Sequence, residues 1–172
     1  WIDSFKKNSI FWDVGSNIGL FSCYAASRNN CTVYSFEPSV FNLEILCKNI
    51  NLNKLNHKIT VFPLPLTDSI KEAKFKLSSL DKGGAISSFG EDFTFDGSKL
   101  NSIFEYKTIG VSINEIIKNF KFLKPDYLKI DVDGIEHLIL SGGGDILNDI
   151  QEILVEVDEK FERQFTQINK IL

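Results

Sequence analysis

The sequence predicts an α/β domain built on a doubly wound, mostly parallel sheet with helices on both faces. Short apolar runs alternate with amphipathic stretches along the chain, and no internal repeat or low-complexity linker interrupts its 172 residues. That length suits one globular domain with a single core. Strand–helix alternation at this spacing is typical of parallel sheets, and right-handed crossovers place the helices on both faces.

Five apolar segments are predicted as core strands because they are short, rich in β-branched and aromatic residues, and bounded by turn formers. They are residues 10–14, 32–36, 59–62, 127–132 and 153–157. A sixth segment, residues 72–80, alternates apolar with charged side chains. This pattern indicates a half-buried strand near an edge of the sheet.

Apolar residues at helical spacing predict helices at 17–28, 41–51, 135–140 and 160–172. Ser112 and Glu115 stand three residues apart as in a capping box, which predicts a helix to about Phe120. The run Gly142–Gly144 reads as a helix stop and turn. Residues 79–107 form a long stretch with several glycines and aromatics. We interpret it as a lid that covers the substrate and sets specificity, with partial disorder as the alternative.

Charge and composition argue against several classes of partner. The net charge is −4 and no basic stretch stands out, so nucleic acid is not expected as a partner. No apolar run reaches the ~18–20 residues that a membrane span needs. The odd set Cys23, Cys31 and Cys47 suggests neither a disulfide framework nor a zinc site. We therefore expect a reduced, cytoplasmic protein. The sequence carries no feature that predicts its oligomeric state.

The end of the first predicted strand carries the first ligand signal. Ligands of doubly wound sheets bind beyond the carboxyl ends of the strands. Here the chain reads Asp13-Val-Gly15-Ser-Asn17-Ile-Gly19. The glycines would let the backbone approach a ligand, and the amides that open the next helix could meet a carboxylate. Asp13 could hold an ammonium group, although a plain strand-to-helix turn would use the same glycines.

The second strand ends in Glu37, eighteen residues after Gly19. An acid at this place can accept hydrogen bonds from both hydroxyls of a ribose, and the alternative is an ordinary surface glutamate. A nicotinamide dinucleotide site would show Gly-x-Gly-x-x-Gly, whereas this chain has Gly-x-x-x-Gly. With Asp13 present, a nucleoside that bears an amino acid fits better than a pyrophosphate. S-adenosylmethionine has that chemistry.

The third and fourth strands also end in acids. Asp68 could accept a hydrogen bond from an adenine amine, but an Asp before Ser69 is equally an ordinary turn former. Asp131, Asp133 and Glu136 lie within six residues at the carboxyl end of the fourth strand. Such acids repel one another, so the cluster favours a functional site over a solvated face.

Three segments together resemble the FkbM family of class I methyltransferases: residues 11–20 (FWDVGSNIGL), 36–38 (FEP) and 128–136 (LKIDVDGIE). Residues 153–156 are similar to that family's last recognisable strand. The resemblance implies a Rossmann-like fold in which Asp13, Gly15, Asn17, Gly19 and Glu37 line the cofactor. It also implies that Asp131 faces the methyl group and the substrate. Asp133 departs from the pattern, since the family usually has Glu there.

The resemblance further implies an S-adenosylmethionine-dependent O-methyltransferase acting on a sugar, a glycan or a secondary metabolite. A base that removes the proton of the acceptor hydroxyl would assist transfer. Asp131 is the first candidate, Glu136 the second and Glu156 a more distant one. Class I enzymes usually continue with a further helix and an antiparallel strand pair, so we expect the chain to be a fragment that lacks them.

Three alternatives remain open at this point. Asp131, Asp158 and Glu159 stand at the ends of two strands that could be neighbours. Such an arrangement would let the three carboxylates converge on Mg²⁺, although the resemblance requires no metal. A non-catalytic nucleoside-binding module could keep the same sheet. An NAD-dependent oxidoreductase is disfavoured by the glycine spacing, and no tyrosine has a lysine four residues later.

Overall fold

The computed structural model describes all residues from Trp1 to Leu172. Eight strands occur in chain order: β1 Ile10–Val14, β2 Thr32–Phe36, β3 Ile59–Phe62, β4 Lys71–Leu77, β5 Ser87–Phe89, β6 Phe104–Gly110, β7 Tyr127–Ile130 and β8 Glu152–Val155. Five helices accompany them: α1 Leu20–Asn29, α2 Val40–Leu52, α3 Ile113–Phe120, α4 Glu136–Ser141 and α5 Glu162–Ile171. Two short 3-10 helices span Ile2–Ser4 and Gly144–Asp149.

The main sheet has five strands in the order β3-β2-β1-β7-β8, and every pair in it is parallel. This confirms the predicted doubly wound fold and its five core strands. Adjacent residues of β1 face opposite sides of the sheet, as the strand repeat requires. Phe11 packs into one hydrophobic cluster and Trp12 into the other, and both are fully buried.

A second sheet of three antiparallel strands, in the order β5-β4-β6, corrects the prediction for residues 72–80. Their strand exists, but it is the central strand of this small sheet and does not lie near the edge of the main one. Its partners lie within residues 79–110. β5 has only three residues, and β6 is mostly exposed, so neither carries a clear apolar period.

Helix α1 begins three residues later than predicted. Gly15, Asn17 and Gly19 all adopt left-handed backbone conformations, with φ of +78°, +49° and +84°. A right-handed helix cannot form through such residues. The intervening turn brings Asn17 to the end of the sheet. From β1 the chain adds β2 and β3 on one side of the sheet and later β7 and β8 on the other. This change of direction places a crevice at the carboxyl end of β1.

None of the helices is both long and apolar enough to cross a membrane.

Candidate functional site

A cavity occupies the predicted crevice. Its walls come from the ends of β1, β2 and β7, from residues 64–66 after β3, and from parts of residues 84–89 in the inserted segment. Of the predicted site residues, Gly15, Asn17, Glu37 and Asp131 line this cavity together. The fold therefore brings four positions that are distant in sequence to one place.

The turn after β1 passes against the end of β7 at Gly15. A Cβ atom built on Gly15 would stand 1.8 Å from the carbonyl oxygen of Asp131, and φ there is +78°. No larger residue fits this contact without moving one of the two strands. Gly15 thus allows the ends of β1 and β7 to approach closely, and it also lines the cavity.

Glu37 is buried at the end of β2, with 5% of its surface exposed. Its two carboxylate oxygens accept hydrogen bonds from the backbone N–H groups of Asn17 and Ser39, both at 2.8 Å. Burial nevertheless raises the pKa of Glu37 to about 7. The site therefore holds a carboxyl that ionises near neutral pH and has oxygen lone pairs left for a ligand's hydroxyl groups.

The raised pKa of Glu37 predicts that ligand-free protein loses stability as the pH rises. A carboxyl with an ordinary pKa of 4.5 and a folded-state value of about 7 holds its proton more tightly when folded. Its contribution is present below pH 4.5 and is lost as the pH rises through 7, by roughly 3 kcal/mol at most. Denaturant unfolding of wild type and Glu37→Gln at pH 5 and pH 8 measures this. An equal pH dependence in both proteins would contradict the assignment.

Asp131 follows β7 and is bound to the buried side chain of Lys129. The Lys129 ammonium lies 2.8 Å from an Asp131 carboxylate oxygen and 3.6 Å from an Asp13 oxygen, and its own side chain is 4% exposed. It also approaches the Gly15 carbonyl oxygen at 3.5 Å and the Phe21 ring centroid at 5.0 Å. Lys129 therefore connects both strand ends at the cavity.

Asp13 does not line the cavity, contrary to its predicted place beside the cofactor. It is fully buried, and its pKa is raised by burial. One carboxylate oxygen accepts a hydrogen bond from Ser22 at 2.6 Å, while the other has no hydrogen-bond partner and faces Lys129. The register pairs Asp13 with Lys129 across β1 and β7. Because Lys129 stands beside it, Asp13 holds that cation in place of a ligand's ammonium.

Glu136 is also placed differently from its predicted role as a base. It is buried, lies outside the cavity lining, and its carboxylate accepts hydrogen bonds from the N–H groups of Val132 and Gly134 at 3.0 and 3.2 Å. Gln164 of α5 donates a further bond to it. These contacts fit a residue that shapes the loop after β7, and they leave no oxygen facing the cavity.

Glu156 lies beside Asp131, because β8 runs parallel to β7 and the Glu156 N–H donates to the Ile130 carbonyl at 3.0 Å. Burial and the neighbouring Asp131 carboxyl raise the pKa of Glu156 to about 7. Glu156 lines a shallow groove with Phe95 and residues 157–160. Asp131 therefore stands between the cavity and this groove.

Two other predicted site residues lie outside the cavity. Gly19 is the N-cap of α1 and packs against Leu46 of α2. Asp68 is exposed and forms an ion pair with Lys71 at 2.8 Å, which fits the turn that was its alternative interpretation. Asp158 and Glu159 line the groove, but no group of three or more acidic, histidine or cysteine side chains is arranged to hold a metal ion.

Sequence reasoning missed the residues that close the cavity. Asn42 in the first turn of α2 lines it and is 5% exposed. Leu64, Leu66 and Phe75 form an apolar wall, and Gly84, Ala85 and Ser87 cover it from the inserted segment. Asn42 could have been identified as a candidate, because it is a polar residue on the buried side of a helix that begins shortly after Glu37. The covering residues carry no such signal, since they are small and lie in an irregular stretch.

Residues 13–172 match the family model of the methyltransferase FkbM domain. The chain belongs to the FkbM family of methyltransferases. An FkbM methyltransferase structure from Methylobacillus flagellatus superposes with a TM-score of 0.67 and 16% identity, covering 98% of this chain and 38% of that one. The fold and the family are thus those expected from the strand-end residues, and the chain is a methyltransferase domain.

Two curated relatives match parts of this chain. The hexuronic acid methyltransferase AglP of Haloferax volcanii is 28% identical over 158 residues, which cover 91% of this chain and 59% of that protein. The tRNA (guanine(37)-N(1))-methyltransferase Trm5b of Methanocaldococcus jannaschii is 28% identical over 117 residues, which cover 66% of this chain and 32% of that protein. The chain thus spans less than two thirds of the length of AglP and about one third of the length of Trm5b.

Proposed function

We propose that this FkbM domain transfers a methyl group from S-adenosylmethionine to a hydroxyl group of a carbohydrate or a related polyhydroxylated molecule. The observation that carries the proposal is the single cavity that extends from the buried Glu37 carboxyl to the Asp131 carboxylate. The Glu37 end of the cavity can bind the hydroxyl groups of a nucleoside, and the Asp131 end can accept the proton that methylation of a hydroxyl releases.

The residues of the cavity fit S-adenosylmethionine. The apolar wall of Leu64, Leu66 and Phe75 would hold the base, and Glu37 would accept hydrogen bonds from the ribose hydroxyls. The turn at Gly15 leaves no room for a Cβ atom and would pass close to the amino-acid part. When bound, this cofactor supplies a methyl group already activated by the positive sulfur.

Asp131 is positioned to accept the proton of the acceptor hydroxyl. It lines the cavity, it is partly exposed, and Lys129 holds it at 2.8 Å. A fixed orientation of acceptor and donor contributes the larger part of such a catalysis, up to ~7–11 kcal/mol when it is near ideal. The acceptor itself would occupy the groove beside Glu156, where Phe95 offers an aromatic face. The similarity to AglP, a hexuronic acid methyltransferase, supports a carbohydrate acceptor.

Isothermal titration of S-adenosylhomocysteine tests the cofactor half of the proposal. Glu37→Ala should bind it roughly tenfold to a hundredfold more weakly than wild type, because a hydrogen bond to a charged group contributes ~1.5–3 kcal/mol. Glu72→Ala, an exposed glutamate on β4, serves as the control and should bind like wild type. Failure of folded wild-type protein to bind would favour the alternative of a non-catalytic module that binds another nucleoside.

A panel of sugars tests the acceptor half. Neutral hexoses and hexuronic acids are incubated with the enzyme and S-adenosylmethionine. The masses of the products are measured by mass spectrometry before and after treatment with mild base. Methyl ethers survive this treatment, whereas methyl esters of a carboxylate are hydrolysed. A base-stable product supports hydroxyl methylation, and a base-labile one would move the proposal to carboxyl methylation.

A further inference from the structure

Residues Gly83–Ser87, here called the strap, are held over the cavity by side chains from two sides of the crevice. From α2, Asn42 accepts a hydrogen bond from the Gly83 N–H at 2.9 Å and donates one to the Gly84 carbonyl at 3.1 Å. From the turn after β1, the Asn17 amide donates to the same Gly84 carbonyl at 3.3 Å. Two asparagines thus hold one short piece of backbone.

The far end of the strap is attached to the loop after β7. The Ser87 N–H donates to an Asp133 carboxylate oxygen at 3.1 Å, so the strap spans the crevice from α2 to the loop after β7. Outside the cavity, Lys82 forms an exposed ion pair with Glu44 of α2 at 2.8 Å. Exposed ion pairs stabilise little. Along its length the strap is also joined to Ser78, whose hydroxyl and N–H donate to the Ala85 and Ile86 carbonyls at 3.1 and 3.2 Å. The two asparagines and Asp133 are therefore its attachments across the crevice.

Glu37 lies beside these attachments. The Asn17 backbone N–H binds Glu37 while the Asn17 side chain binds Gly84, and the Asn42 amide also favours the ionised form of Glu37. Gly84, Ala85 and Ser87 all line the cavity. A ligand whose hydroxyl groups reach Glu37 therefore lies beneath the strap.

We propose that Asn42 is a positioning residue that latches the strap over the nucleoside part of the bound cofactor, so that cofactor exchange requires the strap to open. This inference rests on the proposed function. It also narrows the predicted lid of residues 79–107 to the strap, which covers the cavity next to Glu37. Asn42 has both amide atoms committed to the strap and is 5% exposed.

A latch has a kinetic signature that a direct ligand contact lacks. Its hydrogen bonds are present without a cofactor, and a latch would keep the same bonds over a bound one. Losing them would then change the stability of the closed strap about equally in both states. Association and dissociation then accelerate together, and affinity changes little. A side chain that bonds the cofactor itself would instead raise Kd, mainly through faster dissociation.

Stopped-flow or surface-plasmon kinetics with S-adenosylhomocysteine on the full chain provide the test. Asn42→Ala should raise both rate constants about tenfold, since it removes two hydrogen bonds from the latch, and should leave Kd within about threefold. Alanine preserves α2, and Glu37 keeps its bonds to Asn17 and Ser39. Because Asn42 also favours the ionised form of Glu37, whose pKa is about 7, the rates are measured above about pH 8, where ionisation of this carboxyl is favoured. The exposed Asn51 on the same helix gives the matched control, Asn51→Ala, with unchanged rates.

A second variant destabilises the closed position by changing a residue of the strap itself. Gly83 has φ of +81°, a conformation that alanine adopts only with strain, so Gly83→Ala should accelerate both rates in the same way. Measuring 5′-methylthioadenosine, which lacks the amino-acid part, locates the covered region: both variants should accelerate its exchange as well.

Unchanged rates in Asn42→Ala, or a rise in Kd that matches the rise in dissociation rate, would overturn the latch. Acceleration for S-adenosylhomocysteine but not for 5′-methylthioadenosine would overturn its placement over the nucleoside. Failure of wild type to bind either compound would instead count against the proposed function, so the two failures are distinguishable.

Discussion

Replacing Asp131 by Asn is expected to slow methyl transfer to a hydroxyl acceptor by about 10²–10⁴-fold, the range that a positioned proton acceptor contributes. Asparagine has nearly the same shape but cannot take up the proton. Because the amide keeps the space filled between Lys129 and the cavity, S-adenosylhomocysteine should bind within about threefold of wild type. Turnover under saturating cofactor, measured with the best acceptor of the sugar panel, gives the result.

Asp145→Asn provides the control, since Asp145 is exposed and lies in the 3-10 helix Gly144–Asp149, away from the cavity. Its activity should match that of wild type. A full rate in Asp131→Asn would show that another group takes the proton, and Glu156→Gln would then be the variant to measure. If the product is a methyl ester, no proton acceptor is needed and the variant should lose little activity.

The second large effect is expected from Lys129→Met. Methionine occupies a similar volume but removes the only cation in contact with Asp13, which is fully buried. Removing one partner of a buried ion pair costs ~3–5 kcal/mol because the remaining charge is left uncompensated. Burial raises the pKa of Asp13, so this residue can take up a proton once Lys129 is gone. The loss should therefore be smaller at pH 5 than at pH 8.

Chemical denaturation of Lys129→Met and of the double variant Asp13→Asn/Lys129→Met measures this effect. The double variant removes both charges and should recover much of the lost stability. Lys124→Met gives the comparison, because Lys124 pairs with Asp149 at the surface and should change stability by ~1 kcal/mol or less. Equal losses in the single and double variants would show that Asp13 and Lys129 are not coupled.

Several features of the site could be predicted because they are local. The turn of Gly15, Asn17 and Gly19 follows an apolar strand, and Glu37 and Asp131 each directly follow one. In a parallel sheet all carboxyl ends lie at one edge, so strand order along the chain was enough to place Gly15, Asn17, Glu37 and Asp131 at one crevice. These same segments carried the family resemblance.

Other assignments failed because they depend on which side of a strand or helix a neighbour occupies. Asp13 and Glu136 have the residue type and sequence position expected of ligand or base, yet both are buried. Asp13 faces Lys129 across β1 and β7, and Glu136 is bonded to Val132, Gly134 and Gln164. No periodicity within a single segment reports such a partner, since it comes from another strand or helix.

The sequence by itself determined the fold class, the five core strands, the crevice and the methyltransferase family, because apolar periodicity and strand-end residues are properties of contiguous segments. Only the tertiary structure decided that residues 71–110 form a separate antiparallel sheet and that the strap crosses the crevice to Asn42 and Asp133. The strap's contacts join the side chains of Asn17, Asn42 and Asp133 to backbone groups about 40 or more residues away. Every residue type possesses such backbone groups, so the residue types of the strap do not reveal which side chains bind it.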